Sequence, residues 1–257
     1  MDGLLDIRRE ILRNVILCQA LEPLARRQRL EAVAAGPKLE YFLVAGVNSA
    51  WPFYDLADRV LTARRQPECI YDLAYEAQSV SVRNRYGGKV NFGQISLLVP
   101  LITAQVLDYL ESGTHEDVDA ILARTGDVLR HTTEQDVEHL ERFVHLGYEV
   151  SARNRARIGT PKPPRSPVFQ GRFANVWEAC RDLEQMIIGQ EMIQGYPHSL
   201  RVYRFLLHNL DGGILPASAL ITQLLLAELR RPDVVADLVA VGIYLVLTKH
   251  PESVLFT

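Results

Sequence analysis

Apolar residues recur at spacings of three and four along almost the whole of this chain, and no segment shows the strict alternation of a half-buried strand. Leu4, Ile7, Ile11, Val15, Cys18, Leu21 and Leu24 make one face of a long amphipathic helix over residues 3–33. Val33-Ala34-Ala35-Gly36-Pro37 ends it, because glycine and proline together stop a helix. The pattern then predicts a short apolar stretch from Leu39 to Val47 and helices over 51–64 and 68–83. A glycine turn at 87–93 leads into a further helix carrying Pro100. Thr114-His115-Glu116-Asp117 and Thr133-Glu134-Gln135-Asp136 both have the Thr-x-x-acid pattern of a helix start, the second opening a helix that runs to about Asn154. Four more helices follow, over 172–192, 198–210, 216–230 and 233–248. The fold expected is all-α: one domain of roughly ten helices over residues 1–257, with a Pro/Arg-rich loop at about 153–172.

Composition narrows the function. With 48% hydrophobic and 23% charged residues, the 257-residue chain can bury a sizeable core. A net charge of −3 gives no global attraction to nucleic acid or to an anionic membrane. Cys18, Cys69 and Cys180 are far apart and form no CxxC pair, which argues against a disulfide framework or structural zinc and suits a reducing cytosol. The first ten residues mix charge with apolar side chains and lack the apolar core of a signal peptide. Val234–Leu247 is interrupted by Asp237 and is short for a bilayer span, so it reads as a core helix. A cytoplasmic protein is expected, free of nucleic acid and membrane, with helix faces that permit a homodimer.

The chemistry-bearing segments are few. P-loop, nucleophile-elbow, HExxH and dinucleotide signatures are all absent. On the helix after Thr133, Glu141, His145 and Glu149 share a face, yet the chain has no Glu-x-x-His pair of a four-helix di-metal site. A solvated charged face is the simpler reading of that helix. Between Glu149 and Glu178 there is no acidic residue, while Arg153, Arg155, Arg157, Lys162, Arg165 and Arg172 all occur. This stretch is either a solvated loop or a cationic flap for a phosphate-bearing ligand. Tyr86-Gly87-Gly88-Lys89-Val90-Asn91-Phe92-Gly93-Gln94 runs directly into the apolar helix. Free N–H groups and the positive end of a helix dipole make such a junction an anion site, and Lys89 adds a point charge.

The order of these pieces resembles the triphosphoribosyl-dephospho-CoA synthase family, in particular its shorter archaeal-like branch. Gly87-Gly88, Asn91, Gly93 and Leu97-Leu98-Val99-Pro100-Leu101 look like that family's glycine turn and the helix behind it. Thr132-Thr133-Glu134-Gln135-Asp136 is similar to its Thr-Thr-x-x-Asp start, and Asp182 and Glu184 after Trp177-Glu178-Ala179 to a later acidic helix. Pro232-Asp233 and Ala236-Asp237-Leu238 match its C-terminal block. The chain departs from the family where Gly36-Pro37-Lys38-Leu39 lacks a Pro-Gly half, where Lys89-Val90 replaces Asn-Thr, and where Val235 replaces Thr. The resemblance implies transfer of a triphosphoribosyl group from ATP to dephospho-CoA, or a related cofactor precursor, with release of adenine. It further implies that Lys38, Gly87, Gly88, Lys89, Asn91, Arg153 and Arg157 bind substrate, that Asp136 and Asp182 hold Mg²⁺, and that Asp182, Glu184 and Asp237 act in catalysis. Substitution at three motif positions leaves a second expectation, a non-catalytic helical subunit or binding module that keeps the fold.

Overall fold

The computed structural model describes residues 2–29, 39–82, 91–114, 116–157, 169, 172–182 and 186–251. Among these are eleven α-helices, one 3₁₀ turn at Leu210–Gly212 and no strand. The helices are α1 (Asp2–Arg29), α2 (Leu39–Ala63), α3 (Tyr71–Val82), α4 (Phe92–Ser112), α5 (Val118–Arg130) and α6 (Glu134–Arg157). They continue with α7 (Val176–Asp182), α8 (Ile187–Ile193), α9 (Pro197–His208), α10 (Ile214–Leu229) and α11 (Pro232–Lys249). The all-helical reading of the periodicity is borne out.

Two helices form the centre. α4 is buried without a break from Gly93 to Val106, and α11 from Val234 to Thr248 except for a half-buried Asp237. Helices apolar on every side need neighbours on every side. α2, α3, α5, α8 and α11 surround α4, while α1, α4, α9 and α10 surround α11. By length and apolarity α4 passes as a membrane span, but 78% of that stretch is buried against the other helices, as in a core helix. α9 and α11 cross closely at Gly242, where a Cβ would fall 2.3 Å from Val202 Cγ1.

Local signals fared unevenly. Thr133 and Asp136 form the expected reciprocal box: Thr133 N–H donates to Asp136 Oδ2 at 3.0 Å, and Asp136 N–H donates to Thr133 Oγ1 at 3.4 Å. α5 starts later than Thr114, because Asp117 is its cap and accepts from Ala120 N–H at 3.0 Å. The break expected between Val47 and Trp51 is absent. α2 runs through Pro52, and the backbone hydrogen bond a proline forfeits is offset by burial of Phe42, Ala45, Phe53, Leu56 and Val60 on one face. The single helix expected over 172–192 is instead α7 and α8. Residues 30–38, 83–90 and 158–168, which include the helix stop, most of the glycine turn and most of the arginine-rich loop, lie outside the described residues.

Candidate active site

Five helices meet at the first turn of α4. Asn91, just before it, has φ 61° and ψ 18°. Left-handed backbone costs an ordinary residue roughly 1–2 kcal/mol, and asparagine is among the few that tolerate it. An asparagine before a helix ordinarily caps it with its own side-chain oxygen. Asn91 makes no such bond. Its Nδ2 instead donates to Oε1 of Gln19 on α1, and its Oδ1 is buried without a hydrogen-bond partner. Gln19 Oε1 also faces the Ser49 hydroxyl of α2 at 3.2 Å, whose one proton is shared with the Gly46 carbonyl at 3.3 Å. Gly46 lets α1 come this near, since a Cβ there would lie 3.2 Å from Gln19 Cβ.

Opposite Gln19 stands Asp237 of α11. A Cβ built on Gly93 would fall 2.1 Å from Asp237 Oδ2 and 2.6 Å from its Cγ. The carboxylate therefore fills the space of a side chain at position 93, and only glycine allows it. Placed there it meets the positive end of the α4 dipole. On a third side Phe92 stacks on Phe143 of α6, with centroids 4.4 Å apart and planes at 8°. Gly147 of α6 makes room for that ring, because its Cβ would lie 2.5 Å from Phe92 Cε2.

The structure thus brings Asp237 to the turn that carries Asn91 and Gly93, from which it is far apart in sequence. Arg153 and Arg157 are on the last turns of α6, with their side chains outside the described residues. Arg153 is six residues beyond Gly147, or ~9 Å along the helix axis. Lys38, Gly87, Gly88, Lys89 and Glu184 are outside the described residues.

Asp136 belongs to another region. It is fully buried, and its Oδ1 accepts from Ile70 N–H at 2.8 Å and Tyr71 N–H at 2.9 Å while Oδ2 accepts from Thr133 N–H. It ties the start of α6 to the start of α3, whose length of ~18 Å separates it from the end of α3 that leads to the glycine turn. The metal role expected for Asp136 finds no support in these surroundings; its acceptor capacity is spent on backbone. Asp182 is exposed at the end of α7, a helix packed on α5, α6 and α8. Among the described residues no three His, Cys, Asp or Glu side chains converge as a metal site. His145 and Glu149 form an exposed pair at 3.2 Å, in line with a solvated face.

A second concavity, a groove of about 630 Å³, lies at the other end of α4 between Arg64, Arg65, Asp108, Glu111, Arg124 and Asp127. Arg124 grips Glu111 through both guanidinium nitrogens, one at 2.7 Å. Cations and carboxylates alternate there, so no uniform anion-attracting field builds up.

A sequence model of the CitG family, ATP:dephospho-CoA triphosphoribosyl transferase, matches residues 26–234. The chain belongs to this family. No curated protein and no solved structure matches it. As a triphosphoribosyl transferase of the CitG family, it moves the triphosphoribosyl group of ATP to dephospho-CoA. The match begins after Gln19 and stops three residues short of Asp237, so both side chains that flank the α4 turn lie outside it. Gln19 and Ser49 escaped the sequence reading, which took in Gln94 only as the last residue of the glycine junction. A signal for the first was present: Asn14, Gln19 and Glu22 occupy fully buried positions of an amphipathic helix, and polar residues at core-facing places break its binary pattern.

Proposed function

We propose that the first turn of α4 receives the triphosphate of ATP and that Asp237 acts at the reacting ribose. The observation that carries this is the approach of Asp237 to Gly93 at a helix start that its own Asn91 leaves without a side-chain cap. In the family reaction the bond from ribose C1′ to adenine N9 breaks, and the adenine leaves with the electron pair and takes up a proton. The acceptor hydroxyl oxygen bonds to C1′ and gives up its proton. Positive charge develops on the ribose in between, and a carboxylate nearby stabilises it or receives the acceptor's proton. The nearness of Asp237 to Gly93 supports giving it that role. Asn91 contributes its left-handed turn, since its amide is engaged with Gln19. By their sequence positions Lys38, Lys89, Arg153 and Arg157 supply cationic charge to the phosphates.

A triphosphate and Asp237 at one helix start repel each other. Mg²⁺ carried by the triphosphate suits that arrangement, because this ion keeps phosphate and water ligands and takes one or two protein carboxylates. Asp237 fits as that carboxylate, in place of Asp136.

The test is incubation with ATP, Mg²⁺ and dephospho-CoA, following free adenine. The wild-type chain is expected to release adenine, and Asp237→Asn to lower the rate by about 10³-fold, within the range for a lost acid–base group. An Asp237→Asn variant that releases adenine at the wild-type rate removes the carboxylate from the mechanism.

A further inference from the structure

We infer that the groove at the far end of α4 is a second binding site, one that takes a small zwitterion: an ammonium or amidinium on Asp108, and a carboxylate or phosphate on Arg64 and Arg65. It is separate from the first turn of α4, since Asp108 lies fifteen residues beyond Gly93, or ~22 Å along the helix axis. The inference does not depend on the nucleotide reading of that turn.

The polar groups that line the groove divide into those the fold has used and those it has not. Glu111 holds Arg124 through both guanidinium nitrogens, and Asp127 accepts from Arg130 at 3.0 Å. Gln66 Nε2 donates to the Val128 carbonyl at 3.0 Å. Asp108, Arg64 and Arg65 are left over. Asp108 is 8% exposed, and its carboxylate accepts no hydrogen bond from the described residues. Arg64 and Arg65, just after α2, are exposed and have no carboxylate partner among the described residues. A buried carboxylate without donors is costly unless a ligand supplies them. Burial pushes the Asp108 carboxyl above its ordinary value; Arg124 opposes this, while Asp117 and Glu111 add to it.

Size and charge set the class of ligand. A groove of about 630 Å³ suits a small molecule. Three arginines and three carboxylates line it, so a lone cation or a lone anion meets as much repulsion as attraction. A molecule carrying both charges does not. A divalent ion does not fit, since among the described residues no three His, Cys, Asp or Glu side chains converge. Leu107, Ala123 and Val128 add apolar wall for a short chain joining the two charges. Arg64 stands at φ 53°, a left-handed position that a helix end ordinarily gives to glycine.

The test is calorimetry on the whole chain with 4-aminobutanoate and O-phosphoethanolamine, which set an ammonium beside a carboxylate and a phosphate respectively. At least one should bind with a Kd below about 1 mM, and butylamine, butanoate and inorganic phosphate should bind at least roughly 10-fold more weakly. The tighter of the two zwitterions tells which anion the arginines take. Asp108→Asn should lower that affinity at least roughly 10-fold and yet, without ligand, melt no lower than wild type, because it removes a buried charge that lacks donors. Arg64→Gly should lower affinity about fivefold and also melt no lower, since glycine accepts that backbone without strain. A packing role for either residue has the opposite signature, a lower melting temperature with binding intact. The inference is overturned if neither zwitterion binds, if a single-charge control binds as tightly, or if Asp108→Asn binds like wild type.

Discussion

The starts of α9 and α4 use the same backbone device to opposite ends. Each is preceded by a non-glycine residue in left-handed conformation, Tyr196 at φ 63° and Asn91 at φ 61°, and neither makes a side-chain cap bond. At α9 the gap is closed from within the fold. Glu191 is 1% exposed; its Oε1 accepts from Ser199 N–H at 2.6 Å and its Oε2 from His198 N–H at 3.3 Å and the His198 ring at 2.9 Å. Tyr196 is anchored by its hydroxyl, which donates to the Leu97 carbonyl of α4 at 2.7 Å. At α4 the carboxylate beside the turn, Asp237, is half-buried, and Gln94 and Asn91 keep buried oxygens without hydrogen-bond partners. A start satisfied by its own protein serves the fold. The start of α4 is the one proposed above to meet the nucleotide.

The sharpest way to break this contrast is Gly93→Ala. The added methyl displaces the Asp237 carboxylate, and a misplacement near 1 Å costs about 100-fold in rate. Adenine release should fall at least that far, with a melting temperature close to wild type, since the group displaced is the end of a side chain. The mirror-image change is Glu191→Ala, which leaves the N–H groups of Ser199 and His198 unpaired. It should cost about 2 kcal/mol in urea unfolding and leave the activity of the folded fraction unaltered. Equal damage to activity from both variants would erase the distinction between the two helix starts.

Alkali should separate the regions next. Burial pushes the Tyr196 phenol well above its ordinary range, and the Cys180 thiol behind it to about 12. Their unfolded forms titrate near 10 and 9, so the folded state holds the extra protons above those values. The stabilisation is complete below pH 9 and is lost as the pH rises, at about 1.4 kcal/mol per pH unit for each group in its window. Tyr196→Phe should flatten the decline above pH 10, as followed by circular dichroism. Asn91 does not titrate and confers no such slope on α4. The smallest effect belongs to the other end of α4, where Arg124→Ala removes an exposed pair with Glu111 and should change stability by less than about 1 kcal/mol and activity not at all.

How much of this was legible follows from the range of each interaction. The Thr133–Asp136 box could be read because both partners fall within one turn. That Asp136 also holds Ile70 and Tyr71 could not, since those partners are 66 and 65 residues away; the metal role expected for it came only from the family resemblance. The glycine turn was legible from its own residues and Asp237 through the family pattern, while the meeting of Gly93 and Asp237 is a product of α4–α11 packing. Gln19 hid for the same reason, with its partner Asn91 72 residues distant. The break placed between Val47 and Trp51 is absent because burial along one face, which only the assembled α2 reveals, carries the helix through it.

The contact between Gly93 and Asp237 also constrains the history open to this chain. The two positions behave as a single heritable character. A larger residue at 93 moves the acid out of the α4 turn without removing it, so the position of the acid, as distinct from its presence, is inherited only together with a glycine at 93.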